Sequence, residues 1–267
     1  MLRSMNDLEN YTVGATDGDI GQVTDFYFDD QAWVIRYLVV DAGSWLSSRK
    51  VLISPISINR PTWSQRRLPV SITQEQVRNS PDIDTDKPVS RQHEIDYHRY
   101  YGYPDYAGGV GVWGEGVYPY LMDPAYASSG LGRAERDKTD EQFARAERAQ
   151  HRNDDPHLRS CKAVIGYHIH ATDGDIGHVQ NLLIDEESWA IRYMVVNTSN
   201  WWLGHLVLIP PQWIKDINWT DESVTVNLLR DAIQDAPPYE PTDKLNREHE
   251  ADLYGYYGRV GYWEPTP

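Results

Sequence analysis

The chain has 267 residues, 40% of them apolar, with 10 Trp and 18 Tyr against only 3 Phe, and a net charge of −15. That length holds one large or two modest domains, and the apolar share is too high for a disordered chain. The charge argues against nucleic acid, which needs Lys/Arg clusters to displace counterions, and against anionic lipid, which an acidic surface repels. A single cysteine, Cys161, excludes an intrachain disulfide and fits a cytoplasmic setting. Residues 1–10 lack an apolar core and no stretch reaches the length of a membrane span, so neither a signal peptide nor a transmembrane helix is expected.

In chain order, Asp17-Gly18 predicts a tight two-residue hairpin turn. A strand follows over Ile20–Phe28, with Gly21 marking a bulge or a close approach. Asp29-Asp30 turns the chain into a strand over Trp33–Asp41, rich in β-branched and aromatic residues. After a loop at 42–48 comes a short strand, Arg49–Ile53, ended by Pro55, then a pair of strands within Pro61–Ile72. Thr73-Gln-Glu-Gln76 is a capping-box pattern for a short helix stopped by Pro81. Ser90 opens a second helix that ends at Gly102. Residues 104–160 change character: Gly, Tyr and Pro dominate to Tyr126, and the densely charged stretch Arg133–Asp155 holds a solvated helix at 139–150. This segment reads as a long, partly ordered linker.

From residue 161 the pattern begins again. Ala15-Thr-Asp-Gly-Asp-Ile-Gly21 recurs as Ala171–Gly177, the strand Trp33–Val40 as Trp189–Val196, and Arg91-Gln-His-Glu94 as Arg247-Glu-His-Glu250, with Asn246 as the cap. The offset is 156 throughout, and a gapless comparison of residues 15–102 with 171–258 has 31 identities in 88 positions. Chance gives roughly one in sixteen to twenty. The expected organisation is a repeat at 1–103, a linker at 104–160 and a second repeat at 161–267.

Asp17–Val23, Trp33–Asp41, Trp45-Leu46 and Arg49–Ile53 resemble the PRC-barrel domain, and the tail from Ser80 to Gly102 resembles its bacterial stand-alone members. The family is named for the cytoplasmic domain of the photosynthetic reaction-centre H subunit, and a related barrel occurs in a ribosome-maturation factor. The resemblance covers about Asn10–Tyr103 and Gly166–Trp263. The second copy departs where His205-Leu206 replaces Arg49-Lys50. What the resemblance implies is a mainly β fold: two small PRC-barrel-like β-barrels, each followed by short helices, used for protein contacts and without catalytic residues. Neither the membrane anchor of the first relative nor the extra domain of the second is expected here.

Several residue groups invite a chemical reading. His93 and His98 are five apart and diverge on a helix, which suits a surface or capping role better than a metal. His168 and His170 share a strand face near His178, but their counterparts Thr12, Gly14 and Gln22 are not ligands of that kind, so an exposed strand face is expected. Asp17/Asp19 and Asp173/Asp175 lack a calcium loop around them and read as turn chemistry. Cys161 has no paired base, and the glycines at 108–111 and 114–116 lack the strand–helix context of a phosphate loop. Arg36 and Arg192 sit among aliphatic residues, where a guanidinium needs a partner. That partner is a backbone group or an acid, such as Asp41 or one from the tail, or the arginine anchors an interface.

No catalytic residue, metal or cofactor emerges from these groups. The expected function is a non-catalytic protein-binding or assembly module with an unnamed protein partner. Its interface or structural residues are Trp33, Trp189, Trp45, Trp201, Arg36, Arg192, Tyr100, Tyr101, Tyr256 and Tyr257. The alternatives are an electron-transfer accessory of the reaction-centre type, or a metal- or small-ligand-binding protein. The two barrels are expected to pair as an intrachain pseudo-dimer, the tails lying over them with half-buried tyrosines, and a homo-oligomer is an open possibility.

Overall fold

The computed structural model describes residues 1–47, 49–81, 91–103, 158–198, 204–242 and 245–264, with the backbone alone at 91–93 and 95. The chain opens with β1 (Leu2–Ser4) and the single turn α1 (Met5–Leu8). It continues through β2 (Thr12–Gly14), β3 (Asp19–Asp29), β4 (Val34–Asp41), β5 (Lys50–Ile53), β6 (Arg67–Pro69), α2 (Gln74–Arg78) and α3 (Arg91–Tyr101). After residue 157 the same order returns 156 residues on. The elements are β7 (Leu158–Ser160), α4 (Cys161–Val164), β8 (His168–Ala171), β9 (Gly174–Asp185), β10 (Ile191–Asn197), β11 (Leu206–Ile209), β12 (Ile214–Asn218), β13 (Ser223–Val226), α5 (Arg230–Gln234) and α6 (Arg247–Tyr256).

The fold is mainly β, in two sheets, and neither sheet closes into a barrel. One runs β5-β4-β3-β2-β6, with β7 added on β3; the other runs β11-β10-β9-β8-β13-β12, with β1 added on β9. Strand pairs are antiparallel except β2–β6 and β8–β13. The closed barrels expected from the sequence are therefore open sheets. The edge strands are β5 and β6 in one and β11 and β12 in the other, and no ladder among the described residues joins them.

Strand β4 is buried along nearly its whole length because both its faces are covered, whereas β3 alternates until Phe26. Seven of the eight residues of β4 are buried, and Ile20, Val23, Phe26 and Phe28 of β3 are fully enclosed. Gly21 is needed where β3 runs against the end of β4: a Cβ there would lie 1.8 Å from the Asp41 carbonyl oxygen, and one at Gly177 would lie 1.9 Å from that of Asn197. The close approach expected at Gly21 is thus met by backbone, which cannot move aside cheaply.

Three local expectations change. Asp17-Gly18 is not a primed turn, since Asp17 does not take a positive φ; its carboxylate instead accepts the backbone N–H of Gln74 at the start of α2, as Asp173 does for Arg230. Trp33 is not a strand residue but the last residue of the β3–β4 turn, at φ 53°, and Trp189 repeats this at 57°. A bulky side chain in that region costs about 1 kcal/mol, and the Trp33 ring is held against Phe28, 5.1 Å away. Finally, the strand pair expected within Pro61–Ile72 is only β6 with isolated bridges, whereas the second repeat forms both β12 and β13. Proline supplies no N–H to a ladder, and Pro61 and Pro69 stand where the second repeat has Ile217 and Thr225. The helix signals fare better. Thr73 and Gln76 form the reciprocal capping box, the Asn246 side chain accepts from His249 N–H, and Gly102 and Gly258 follow their helices at φ 70° and 60°. Ser90 lies outside the described residues.

Two compact units divide the chain, and neither is continuous in sequence. Unit N is Leu8–Ser160 with Glu187–Trp189; unit C is Met1–Asp7, Cys161–Glu186 and Ala190–Pro267. Residues 158–160, expected to belong to the linker, form a strand. Residues 104–157, including the helix expected at 139–150, lie outside the described ones.

Candidate functional site: docked tails and borrowed strands

In unit N the tail helix α3 is fastened through one tyrosine. Tyr97 is buried; its hydroxyl donates to the Leu52 carbonyl (2.9 Å) and accepts the Ser54 N–H (3.2 Å), so it caps the end of β5. Its ring meets Tyr37 of β4 edge-on at 4.9 Å and Tyr101 at 4.7 Å, and Tyr101 stacks on Tyr103 at 5.3 Å. His98, expected at the surface or as a cap, is buried against the Tyr37 and Tyr103 rings. Beneath this layer lies Arg36, whose guanidinium reaches Asp29 at 3.4 Å with both side chains almost fully enclosed. Burial lowers the Arg36 pKa, and the charges of Asp29 and Glu94 work against that fall. Glu94, from the tail, is buried as well. The sequence named Asp41 or a tail acid as the partner; the ion pair is made by Asp29, and the tail acid contributes through its field.

Unit C uses the same positions and completes them differently. Arg192 pairs with Asp185 at 3.4 Å but remains partly open, and its guanidinium lies 4.1 Å from the centre of the Tyr262 ring. Glu250, the counterpart of Glu94, accepts hydrogen bonds from Tyr193 (2.9 Å) and Tyr262 (2.8 Å) and pairs with Arg247 (3.0 Å). Tyr254 is buried beside Trp213 (5.2 Å) and Trp263 (5.1 Å). Burial, reinforced by the Glu250 carboxylate, holds the Tyr193 phenol far above its ordinary pKa. The Tyr262 phenol is raised to about 12, again chiefly by burial.

These polar groups hold tail to sheet, and the tail tyrosines among the remaining expected site residues add to that hold, whereas Trp45 bonds within the sheet. The Trp45 indole N–H donates to the Ile20 carbonyl at 2.6 Å, while Trp201 lies outside the described residues. Tyr100 and Tyr256 expose their rings but anchor their hydroxyls on the Gln76 and Ala232 carbonyls, tying each tail to the preceding short helix. Tyr101 is buried, and Tyr257 packs on Trp213 at 4.7 Å. Among the histidines, His168 faces His178 across the β8–β9 ladder, and His170 Nδ1 lies 2.5 Å from the Asp175 carboxylate. No group of three or more potential metal ligands comes together among the described residues. Cys161 is buried; the His93 side chain and the glycines at 108–116 lie outside what is described.

The second feature was not anticipated. Strand β1 belongs to unit C, where Leu2, Arg3 and Ser4 pair with Asp185, Ile184 and Leu183. Strand β7 belongs to unit N, where Leu158, Arg159 and Ser160 pair with Asp29, Phe28 and Tyr27. Each repeat's leading strand thus completes the long strand of the other repeat. The tip of the β9–β10 turn makes a further loan, since the Trp189 carbonyl accepts from Ile35 N–H within unit N. A signal for the exchanged strands was present: Leu2-Arg3-Ser4 recurs as Leu158-Arg159-Ser160 at the same offset of 156, upstream of the aligned span.

The PRC-barrel domain family matches residues 2–63, from β1 to the turn after β5. That is a shorter span than the resemblance suggested, and the match does not extend to the second repeat. No curated protein matches the chain. Among the described residues, no helix is long and apolar enough to cross a membrane.

Proposed function

We propose that this chain, with a PRC-barrel domain over residues 2–63, is a non-catalytic binding or assembly module built from two copies of that domain. The observation that carries the reading is the occupation of its polar groups. Among the groups that a catalytic site would draw on, Arg36 is paired with Asp29 and Arg192 with Asp185, while Tyr97 on the Leu52 carbonyl and Tyr193 and Tyr262 on Glu250 fasten tail to sheet. Four of the exposed large apolar side chains among the described residues are then the natural contact points: Tyr100 on unit N, and Leu229, Tyr256 and Val260 on unit C. Tyrosine in particular offers a broad ring at low entropic cost.

The test is photo-crosslinking in the cell from a benzophenone side chain placed at each of these four positions. A discrete protein adduct, competed away by excess unlabelled chain and lost on replacing the neighbouring apolar residue by lysine, supports the reading. Folded protein that yields no adduct from any of the four sinks it. An adduct with a pigment- or quinone-bearing complex would direct attention to the electron-transfer alternative, and stoichiometric zinc in the native protein to a metal-binding one.

A further inference from the structure

The exchanged strands use two acceptor edges of the same chemistry. On β9, strand β8 covers the residues to His178, and β1 takes the stretch Leu183–Asp185 beyond them. Arg3 Nε donates to the Glu186 carboxylate at 2.8 Å, and Asn181 Nδ2 donates to Ser4 Oγ at 2.7 Å. On β3, Arg159 Nε donates to the Asp30 carboxylate at 3.1 Å, and Ser160 Oγ donates to Asp25 at 2.5 Å. Each acceptor therefore offers three residues of open ladder, an acid for the arginine and a polar group for the serine. Each arm leads directly into a buried apolar residue, Met5 or Cys161.

We infer that these edges are strand-acceptor sites able to take the Leu-Arg-Ser arm of a second copy of this chain, giving a reciprocal dimer. A backbone ladder reads no sequence, and the side-chain marks of the arm are the same whichever copy supplies it. Nothing in the acceptor distinguishes the chain's own arm from another's. What favours its own is effective concentration, about millimolar for segments joined by a connection of moderate length. In the dimer, the first repeat of one copy exchanges arms with the second repeat of the other, and every bond of the monomer is remade. This is domain swapping with the stretch 104–157 as the connection. The inference goes beyond the proposed binding role and does not depend on it.

A charge-reversal pair tests it in the full chain. Arg3→Glu alone sets two carboxylates together at the β9 edge of its own chain, and Glu186→Arg alone sets two guanidiniums there. If the two variants are co-refolded, the crossed dimer restores an opposite-charge pair at both edges. We expect native mass spectrometry to find the mixed dimer in about threefold excess over a co-refolded wild-type mixture, the scale set by a partly exposed ion pair. The doubly reversed chain, Arg3→Glu with Glu186→Arg, should return to the wild-type distribution, which separates exchange from simple loss of folding. A mixture that stays monomeric overturns the inference. So does a mixed dimer no more abundant than the dimers that each variant forms alone, since the contact would then lie elsewhere.

Discussion

Units N and C solve one problem, fastening a helical tail over an open sheet, with the same arginine, aspartate, tyrosine and glutamate at an offset of 156 but different burial, and with Leu253 and Tyr254 where unit N has Tyr97 and His98. In unit N the ion pair is sealed: the Arg36 and Asp29 side chains are 4% and 7% exposed, against 23% and 19% for Arg192 and Asp185. In unit C the opening is filled by Tyr262 and Trp263, and the tail glutamate gains two phenol donors. The Tyr37 hydroxyl, counterpart of the Tyr193 donor, has no hydrogen-bond partner among the described residues. Identical sequence positions therefore carry different energies. A charge in a sealed site depends on its partner far more than one that water can reach.

The largest effect should come from alkali, which attacks both latches together. Burial raises the Tyr37 and Tyr97 phenols well above the usual value and Tyr101 to about 12 in unit N, and Tyr262 to about 12 in unit C. A phenol whose folded pKa is raised holds its proton more tightly in the fold. Stability is therefore full below pH 10 and falls as the pH climbs from 10 toward 12. Tyr101 alone accounts for about 3 kcal/mol of that fall. Ultraviolet titration should show tyrosine ionisation rising together with unfolding, several protons at once; ordinary one-by-one titration in a folded protein would contradict the buried clusters.

Next in size is the contrast at the ion pairs. Asp29→Asn keeps the turn bonds that Asp29 Oδ1 accepts from Gln31 and Ala32 but strips the charge facing a sealed guanidinium. It should destabilise unit N by about 4 kcal/mol, while Asp185→Asn costs unit C about 1 kcal/mol or less. Hydrogen exchange resolved by segment separates the two units, and equal losses would erase the distinction drawn here. Where the units are alike, they should respond alike. Gly21→Ala and Gly177→Ala both drive a methyl group into backbone, and each should cost about 3 kcal/mol in its own unit. A marked difference between them would mean that one strand crossing yields to the added methyl group more readily than the other.

The smallest contrast is one of sign. Tyr193→Phe deprives the buried Glu250 of a donor and should cost about 2 kcal/mol, whereas Tyr37→Phe removes a hydroxyl without a partner and should be neutral or slightly stabilising. Urea melts of the two variants decide it, and a loss at Tyr37 as large as that at Tyr193 would reveal a bond made by that hydroxyl.

The sequence by itself determined the strands β3, β4 and β5, the doubling at an offset of 156, the capping box at Thr73 and the demand of Arg36 for a partner, because these rest on local propensity and on side-chain chemistry. It also marked Gly21 as a point of close approach, though not the carbonyl that comes near. Only the tertiary structure decided that Asp29 rather than Asp41 meets Arg36, since the hairpin turn brings a residue seven positions earlier back across the sheet. It placed His98 among tyrosine rings rather than in water, because the tail packs on the sheet through that face. It left the sheets open, and it sent each Leu-Arg-Ser strand to the long strand of the other repeat. A ladder of backbone hydrogen bonds looks the same from every chain segment, so no pattern in the sequence could say which edge each arm would complete.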